Sequence, residues 1–235
     1  MSDFIARQPI FNRHEQVYGY ELLFRSDMNN DFDGSDGEAA SRNVADHLMT
    51  VGKALTAGKL AFINCPAGFL INDYVMLLPK KDTVVEVLET VTPAPEIIEA
   101  CRRLKRAGYL IALDDFVLTP QTQILVELAD IIKVDFVATP PSAREEIVRQ
   151  LAPHGVQLLA EKVETREEFR HAAGLGYKFF QGHFFCRPEI IASKRIPGSK
   201  LAYLRLMNLV TRPEIDLVAL EEVINGEVSL CYKLL

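Results

Sequence analysis

Residues 109–164 contain YLIALDDF (109–116), QTQILVELA (121–129), IIKVDF (131–136), SAREEIVRQLAPHG (142–155) and VQLLAEKVE (156–164). Three of these runs are apolar and β-rich, and the two between them repeat apolar residues at helical spacing. Such β-then-α alternation means parallel strands joined by crossover helices. Each strand also ends in charge: Asp114-Asp115, then Lys133 with Asp135, then Glu161. Carboxylates are costly near a dry core unless paired or metal-bound. Their return at successive strand ends points to a shared mouth where the strands converge.

The same placement extends upstream, with Glu21 in YGYELLFR (18–25), Asn64 in LAFINCP (60–66) and Glu86 in VVEVLE (84–89). FIARQPIF (4–11) and QVYGYELLF (16–24) flank a polar turn at residues 12–15 and read as an antiparallel hairpin. Predicted helices run from a Ser41 cap to about Val51, around Phe69–Leu78, and from Pro95 to a stop at Gly108. TREEFRHAAGLG (165–176) is the last helix before YKFFQG (177–182). Roughly seven or eight strands in such a series favour a closed β/α barrel over an open sheet, with functional groups where strands end and βα loops begin. No GxGxxG or GxxxxGK[ST] follows a strand, so neither a dinucleotide fold nor a P-loop is supported. Asp31, Asp33 and Asp36 lack the Gly and Glu spacing of a calcium loop and read as a solvated loop.

After Pro197 the texture changes. Lys200–Val210 reads as a helix broken by Thr211-Arg212-Pro213, and Asp216–Ile224 and Ser229–Leu235 as two short helices with no strand between them. The expected organisation is a barrel domain over 1–198, then a short all-α segment over 199–235, the beginning of an incomplete second domain.

Composition narrows the functional classes. Hydrophobic content of 49% with 25% charged residues describes an ordinary soluble protein. A net charge of -6 gives no general attraction for a nucleic acid polymer. No apolar run approaches the roughly 20 residues that cross a bilayer, and MSDFIARQPIF has no signal-peptide pattern. Cys65, Cys101, Cys186 and Cys231 form no CxxC pair, which argues against structural zinc or a disulfide framework and fits a cytoplasmic location.

Glu21, Asn64, Glu86, Asp114 and Asp115 offer hard oxygen ligands without sulfur or imidazole, a set suited to Mg²⁺ or Mn²⁺. Adjacent aspartates can supply bridging and terminal carboxylates to two ions, which activate water and stabilise the leaving oxygen in phosphodiester cleavage. Lys133 could orient that water or neutralise charge on phosphorus, and Glu161 could act as base or outer ligand. Plainer roles are also open. Asp114-Asp115 could cap a helix, Lys133 and Asp135 could form an ion pair, and Glu161 with Glu164 could flank Lys162 in a solvated cluster.

From Phe4 to Pro188 these motifs resemble the EAL domain family of cyclic di-GMP phosphodiesterases, whose fold is a TIM-like β/α barrel with one antiparallel strand. Gln8-Pro9-Ile10 stands at the family's QPI, Glu21-Leu22-Leu23 at its EAL signature, and Arg25 at a phosphate-contacting arginine. Asn64 matches a metal-binding asparagine. Glu86-Val87-Leu88-Glu89 matches ELTE, whose first Glu binds metal and whose second anchors a catalytic loop. Asp114-Asp115-Phe116 matches DDF, Lys133 and Asp135 match IKxD, Glu161-Lys162-Val163-Glu164 matches EGVE, and Gln181-Gly182 with Pro188 matches QG…P. The resemblance implies hydrolysis of cyclic di-GMP to linear pGpG with two Mg²⁺ or Mn²⁺ ions. Catalytic roles fall on Lys133, Glu161 and Asp115, metal binding on Glu21, Asn64, Glu86, Asp114 and Asp115, and substrate contacts on Gln8, Arg25 and Gln181. Glu89 would anchor the loop, with Asp135 and Glu164 in supporting places. It further implies a homodimer through the barrel.

Residues 216–235 resemble the opening helices of an HDOD signalling module, which implies protein partners there. ARQPIF, YGYELLFRS and AEKVET resemble paired EAL–HDOD chains. Two departures stand out: Leu22 replaces the signature alanine, and Val117–Thr122 replaces the Gly/Ser-rich loop that follows DDF in active members. Glycine-only conformations are lost there, which leaves a second reading open: a cyclic di-GMP receptor or protein scaffold without turnover.

Overall fold

Successive strand residues point to opposite faces, and in this chain one of those faces closes on itself. The computed structural model describes residues 4–25, 41, 44, 45, 48, 54–115, 119, 122–185, 189–192 and 209, with backbone alone for 4, 24, 25 and 189–192. The expected hairpin is β1 (Phe4–Asn12) and β2 (Val17–Arg25). The Asn12 side-chain oxygen accepts from the His14 and Gln16 N–H groups and fixes the turn. Next come β3 (Leu60–Cys65), β4 (Thr83–Val87), β5 (Leu110–Leu113), β6 (Ile131–Asp135), β7 (Gln157–Glu161) and β8 (Phe179–Phe180). From β2 to β8 neighbours pair in parallel, and β8 returns to pair antiparallel with β1. The ring is thus a closed eight-strand α/β barrel in which β1 alone runs antiparallel to its neighbours. A further strand, β9 (Glu189–Ala192), pairs with Phe4–Arg7 of β1. The sequence reading placed no strand there, because its weak signal lies beyond the alternating pattern.

Crossover segments follow the parallel strands. They are α1 (Ala67–Ile71) with a 3₁₀ turn (Tyr74–Leu77), α2 (Pro95–Ala107), α3 (Gln123–Val126), α4 (Pro141–Leu151) and α5 (Arg166–Leu175). Proline in the first turn starts α2, and Gly108 ends it at φ 92°. A capping box starts α5: Thr165 accepts from the Glu168 N–H at 3.1 Å, and the Glu168 carboxylate accepts from the Thr165 N–H at 3.2 Å. By contrast α3 holds only four residues of the nine-residue run that reads as helical. A Thr119–Thr122 hydrogen-bond knot precedes it, an alternative to helical pairing that threonine favours.

Two layers fill the barrel interior. The lower is apolar: Ile10, Phe62, Val84, Ala112, Ile131, Leu159 and Phe179 pack together. Two positions further along each parallel strand, and so on the same face, stand Asn64, Glu86, Asp114, Lys133, Glu161 and Gln181. On the reversed strand β1 the equivalent step runs backward from Ile10 to Gln8, and Gln8 lies opposite Glu21 in register. Outside the barrel a larger apolar core, including Phe69, Leu104, Ile132, Phe136 and Tyr177, joins strands to helices. Cys65 and Cys101 are free and buried.

Several sequence expectations fall outside the described residues: the loop with Asp31, Asp33 and Asp36, Phe116 through Leu118, Pro120, Gln121, Cys186, Pro188, and nearly all of 193–235. Ser41, Val44, Ala45 and Leu48 are helical and buried, as the predicted helix there requires.

Candidate active site

The polar upper layer gathers at the C-terminal ends of the parallel strands. Lys133 stands in the middle, 1% exposed. Its ammonium lies 2.6 Å from Asp114, 2.9 Å from Glu86, 2.9 Å from Glu161 and 3.8 Å from Glu21. Four carboxylates from four different strands or the loops directly after them therefore face one cation. The Gln181 amide donates to Glu21 at 2.6 Å and fixes that carboxylate from the other side.

Electrostatics follow from this crowding. Burial alone pulls the Lys133 ammonium down, but Glu161, Glu21, Glu86 and Asp114 together hold it well above the usual lysine range. Burial pushes Glu86 well above the carboxylate range despite Lys133, with Glu21 and Asp114 adding repulsion. Burial likewise raises Glu161 to about 8, against the attraction of Lys133. Asp115 is raised by burial and by neighbouring Asp114. One ammonium cannot neutralise so many acids, and the site holds excess negative charge.

Several oxygens there are also unpartnered. Asn64 Oδ1 and Asp115 Oδ1 are buried without a hydrogen bond among the described residues. Glu86 is fully buried; its Oε2 has no partner among the described residues, and its Oε1 meets the Lys133 ammonium at 2.9 Å. Buried polar atoms without partners are rare and costly. Asp114, Asp115 and Glu161 each offer an oxygen, all within 4.8 Å of one another. A hard divalent cation fits this donor set: oxygen ligands, net negative charge and unfilled acceptor capacity.

The remaining sequence candidates divide cleanly. Gln8 is half-buried beside Glu21 in the hairpin. Glu89 is exposed and lines a cavity of about 190 Å³ together with Asp114, Asp115, Thr119 and Thr122. Glu164 lies outside the cluster, where its N–H donates to Glu168 at the start of α5. Arg25 ends β2, and its side chain is outside the described residues. The plainer alternatives resolve differently from their sequence form. Asp135 pairs with Lys162, while Lys133 turns to the four carboxylates. Among the described residues Asp114 and Asp115 cap no helix, and α3 begins only at Gln123.

Lys162 is the residue that sequence reasoning passed over. It was legible only as part of a charge cluster, yet it stands at φ 53° opposite Asp115 at φ 40°. Gly182, two residues beyond β8, sits so tightly against Val163 that a Cβ would lie 2.2 Å from its carbonyl oxygen. Beside it, the Gln181 N–H donates to the Ala160 carbonyl and the Gln181 carbonyl accepts from the Val163 N–H, which hold Gln181 at the strand end.

Similarity to known proteins agrees with this geometry. Residues 74–188 match the EAL domain family. The chain is 36% identical over its full length to the uncharacterized protein YuxH of Bacillus subtilis (strain 168), and covers 59% of it. It is 37% identical over 99% of its length to the cyclic di-GMP phosphodiesterase CdgJ of Vibrio cholerae, and covers 55% of that protein. The chain thus spans less than two thirds of these curated relatives. Among solved structures, BlrP1 of Klebsiella pneumoniae, determined with calcium and cyclic di-GMP, superposes with a TM-score of 0.67. That match has 24% identity and covers 82% of this chain and 58% of BlrP1, a likeness of fold. Residues 74–188 thus resemble the EAL domain family, and the closed barrel they belong to shares the fold of BlrP1.

Proposed function

We propose that this chain is a metal-dependent phosphodiesterase that opens cyclic di-GMP to linear pGpG. The observation that carries the reading is the upper barrel layer, where buried, unpartnered oxygens and excess carboxylates surround Lys133. Glu21, Glu86, Asp114, Asp115 and Glu161 bring five carboxyl groups around one buried ammonium, more than Lys133 alone can offset and a set that divalent ions would complement. Glu21, Asn64, Glu86, Asp114 and Asp115 are the proposed ligands for two Mg²⁺ or Mn²⁺ ions. Such ions, when bound, polarise phosphoryl oxygens and lower the pKa of water. The relative named as a cyclic di-GMP phosphodiesterase and the calcium and cyclic di-GMP complex of BlrP1 support the choice of substrate.

The chain's own groups then divide the work. Glu161, buried at the end of β7 beside Lys133, is the proposed base that takes the proton of the attacking water as the P–O bond to the ribose breaks and the ribose oxygen leaves with a proton from solvent. The Lys133 ammonium stays charged and offsets negative charge developing on phosphorus. Gln181 orients Glu21, and with Gln8 and Arg25 forms the proposed substrate contacts, while Glu89 and Asp115 border the adjoining cavity. Asp135 and Glu164 support the mouth from outside the cluster. A homodimer through the barrel and signalling partners at residues 199–235 complete the reading.

Chromatography of cyclic di-GMP incubated with the purified chain tests it. Linear pGpG is expected with Mg²⁺ or Mn²⁺ and none with chelator. Tight binding with no product in either metal overturns hydrolysis and leaves the receptor reading.

A further inference from the structure

Lys162 follows β7 and adopts φ 53°, in the left-handed region that an L-residue with a long side chain rarely occupies. Asp115, facing it at the end of β5, adopts φ 40°. Strain at two facing positions is retained only where the surroundings over-determine it, and here the surroundings are an ion-pair chain. Asp135 Oδ1 accepts from the Val137 and Ala138 N–H groups at 2.6 and 2.9 Å, so its carboxylate is fixed. Its other oxygen takes the Lys162 ammonium in a hydrogen-bonded ion pair. The ammonium so held lies 4.0 Å from Asp115 Oδ2, while Asp115 Oδ1 is buried and unpartnered. Lys133, the buried cation of the site, lies closer to Asp114, Glu86 and Glu161, at 2.6–2.9 Å.

We propose that Lys162 is a tethered counter-cation for Asp115, held by Asp135, that competes with divalent metal at this edge of the site. Resting on the metal-site reading above, the proposal sharpens it: the cation concentration at which the Asp115 side loads is set by Lys162, a positioning residue acting through charge. A fixed positive charge beside a ligand carboxylate lowers its attraction for a second cation, and the effect is screened by salt because Lys162 is 54% exposed.

Mn²⁺ titration of the metal-free full chain by calorimetry tests this without reference to turnover. Lys162→Gln is expected to tighten the weaker Mn²⁺ step about three- to tenfold at low salt. The gain should shrink in 1 M salt, at a Debye length of about 3 Å. Lys162→Arg, which keeps the charge, should bind like wild type. A purely structural role would not produce tighter binding that arginine cancels. Lys162→Gly removes the charge and relaxes the backbone, so it gives the same reading if the Gln variant folds poorly. Unchanged or weaker Mn²⁺ binding in the uncharged variants, with wild type still binding, overturns the role of Lys162 alone. Absence of Mn²⁺ binding in every variant overturns the metal site and this proposal with it.

Discussion

Lys133 brings one positive charge into a buried ring of carboxylates, and its contribution is largest when no metal is present. Replacing it by methionine keeps much of the volume but leaves Glu86, Asp114 and Glu161 without their shared cation. Removing one partner of a buried ion pair costs about 3–5 kcal/mol, with protonation of the raised carboxyls absorbing part of it. Urea denaturation of Lys133→Met in chelator should therefore show a loss of roughly 3 kcal/mol, and Mn²⁺ should restore part of it. An unchanged midpoint contradicts the central place given to Lys133. This residue was legible in the sequence because a lysine inside the apolar run IIKVDF has few other reasons to be there. Lys162 was not. Its pairing with Asp135 and its left-handed backbone arise from two strand ends that only the closed barrel brings together.

At the level of elements, period and punctuation carried most of the information. The hairpin turn, Pro95, Gly108 and Thr165 each mark a boundary that the structure keeps, because each acts through its own local chemistry. What failed were α3 and β9, whose fate depends on neighbours: the threonine knot shortens one, and pairing with β1 creates the other. Two substitutions separate support of the site from support of the scaffold. In Gly182→Ala the new Cβ meets backbone atoms of Val163 at 2.2 and 2.3 Å, which cannot move aside as a side-chain tip would. A loss of about 2 kcal/mol, with weaker Mn²⁺ binding through displaced Gln181, is expected in denaturation and calorimetry. Thr165→Ala removes only the α5 cap and should cost about 1 kcal/mol while leaving Mn²⁺ affinity unchanged. Equal effects of both variants on Mn²⁺ binding would contradict the part assigned to the turn after β8.

Across the whole molecule, closure of the sheet converts eight scattered polar residues into one layer above an apolar plug. That layer sets how metal-free stability responds to pH. Glu161 has a folded pKa of about 8 against an ordinary 4.5, and Glu86 is also raised, so the folded state binds more protons than the unfolded. Stability must then fall as pH rises from about 4.5 to 8. The raised Lys133 contributes throughout this window, and the lowered Asp135 has completed its contribution above 3.8. Melting temperature in chelator should decline from pH 5.5 to 8, and Mn²⁺ should flatten the decline by occupying the carboxylates. A rise over that window would contradict the charge excess. The most direct test of the central claim is the turnover of cyclic di-GMP by wild type beside Glu21→Ala at saturating Mn²⁺. The account predicts linear pGpG from wild type and a loss of roughly a hundredfold or more in the variant. Equal rates in both proteins, or no product from wild type in either metal, would contradict it.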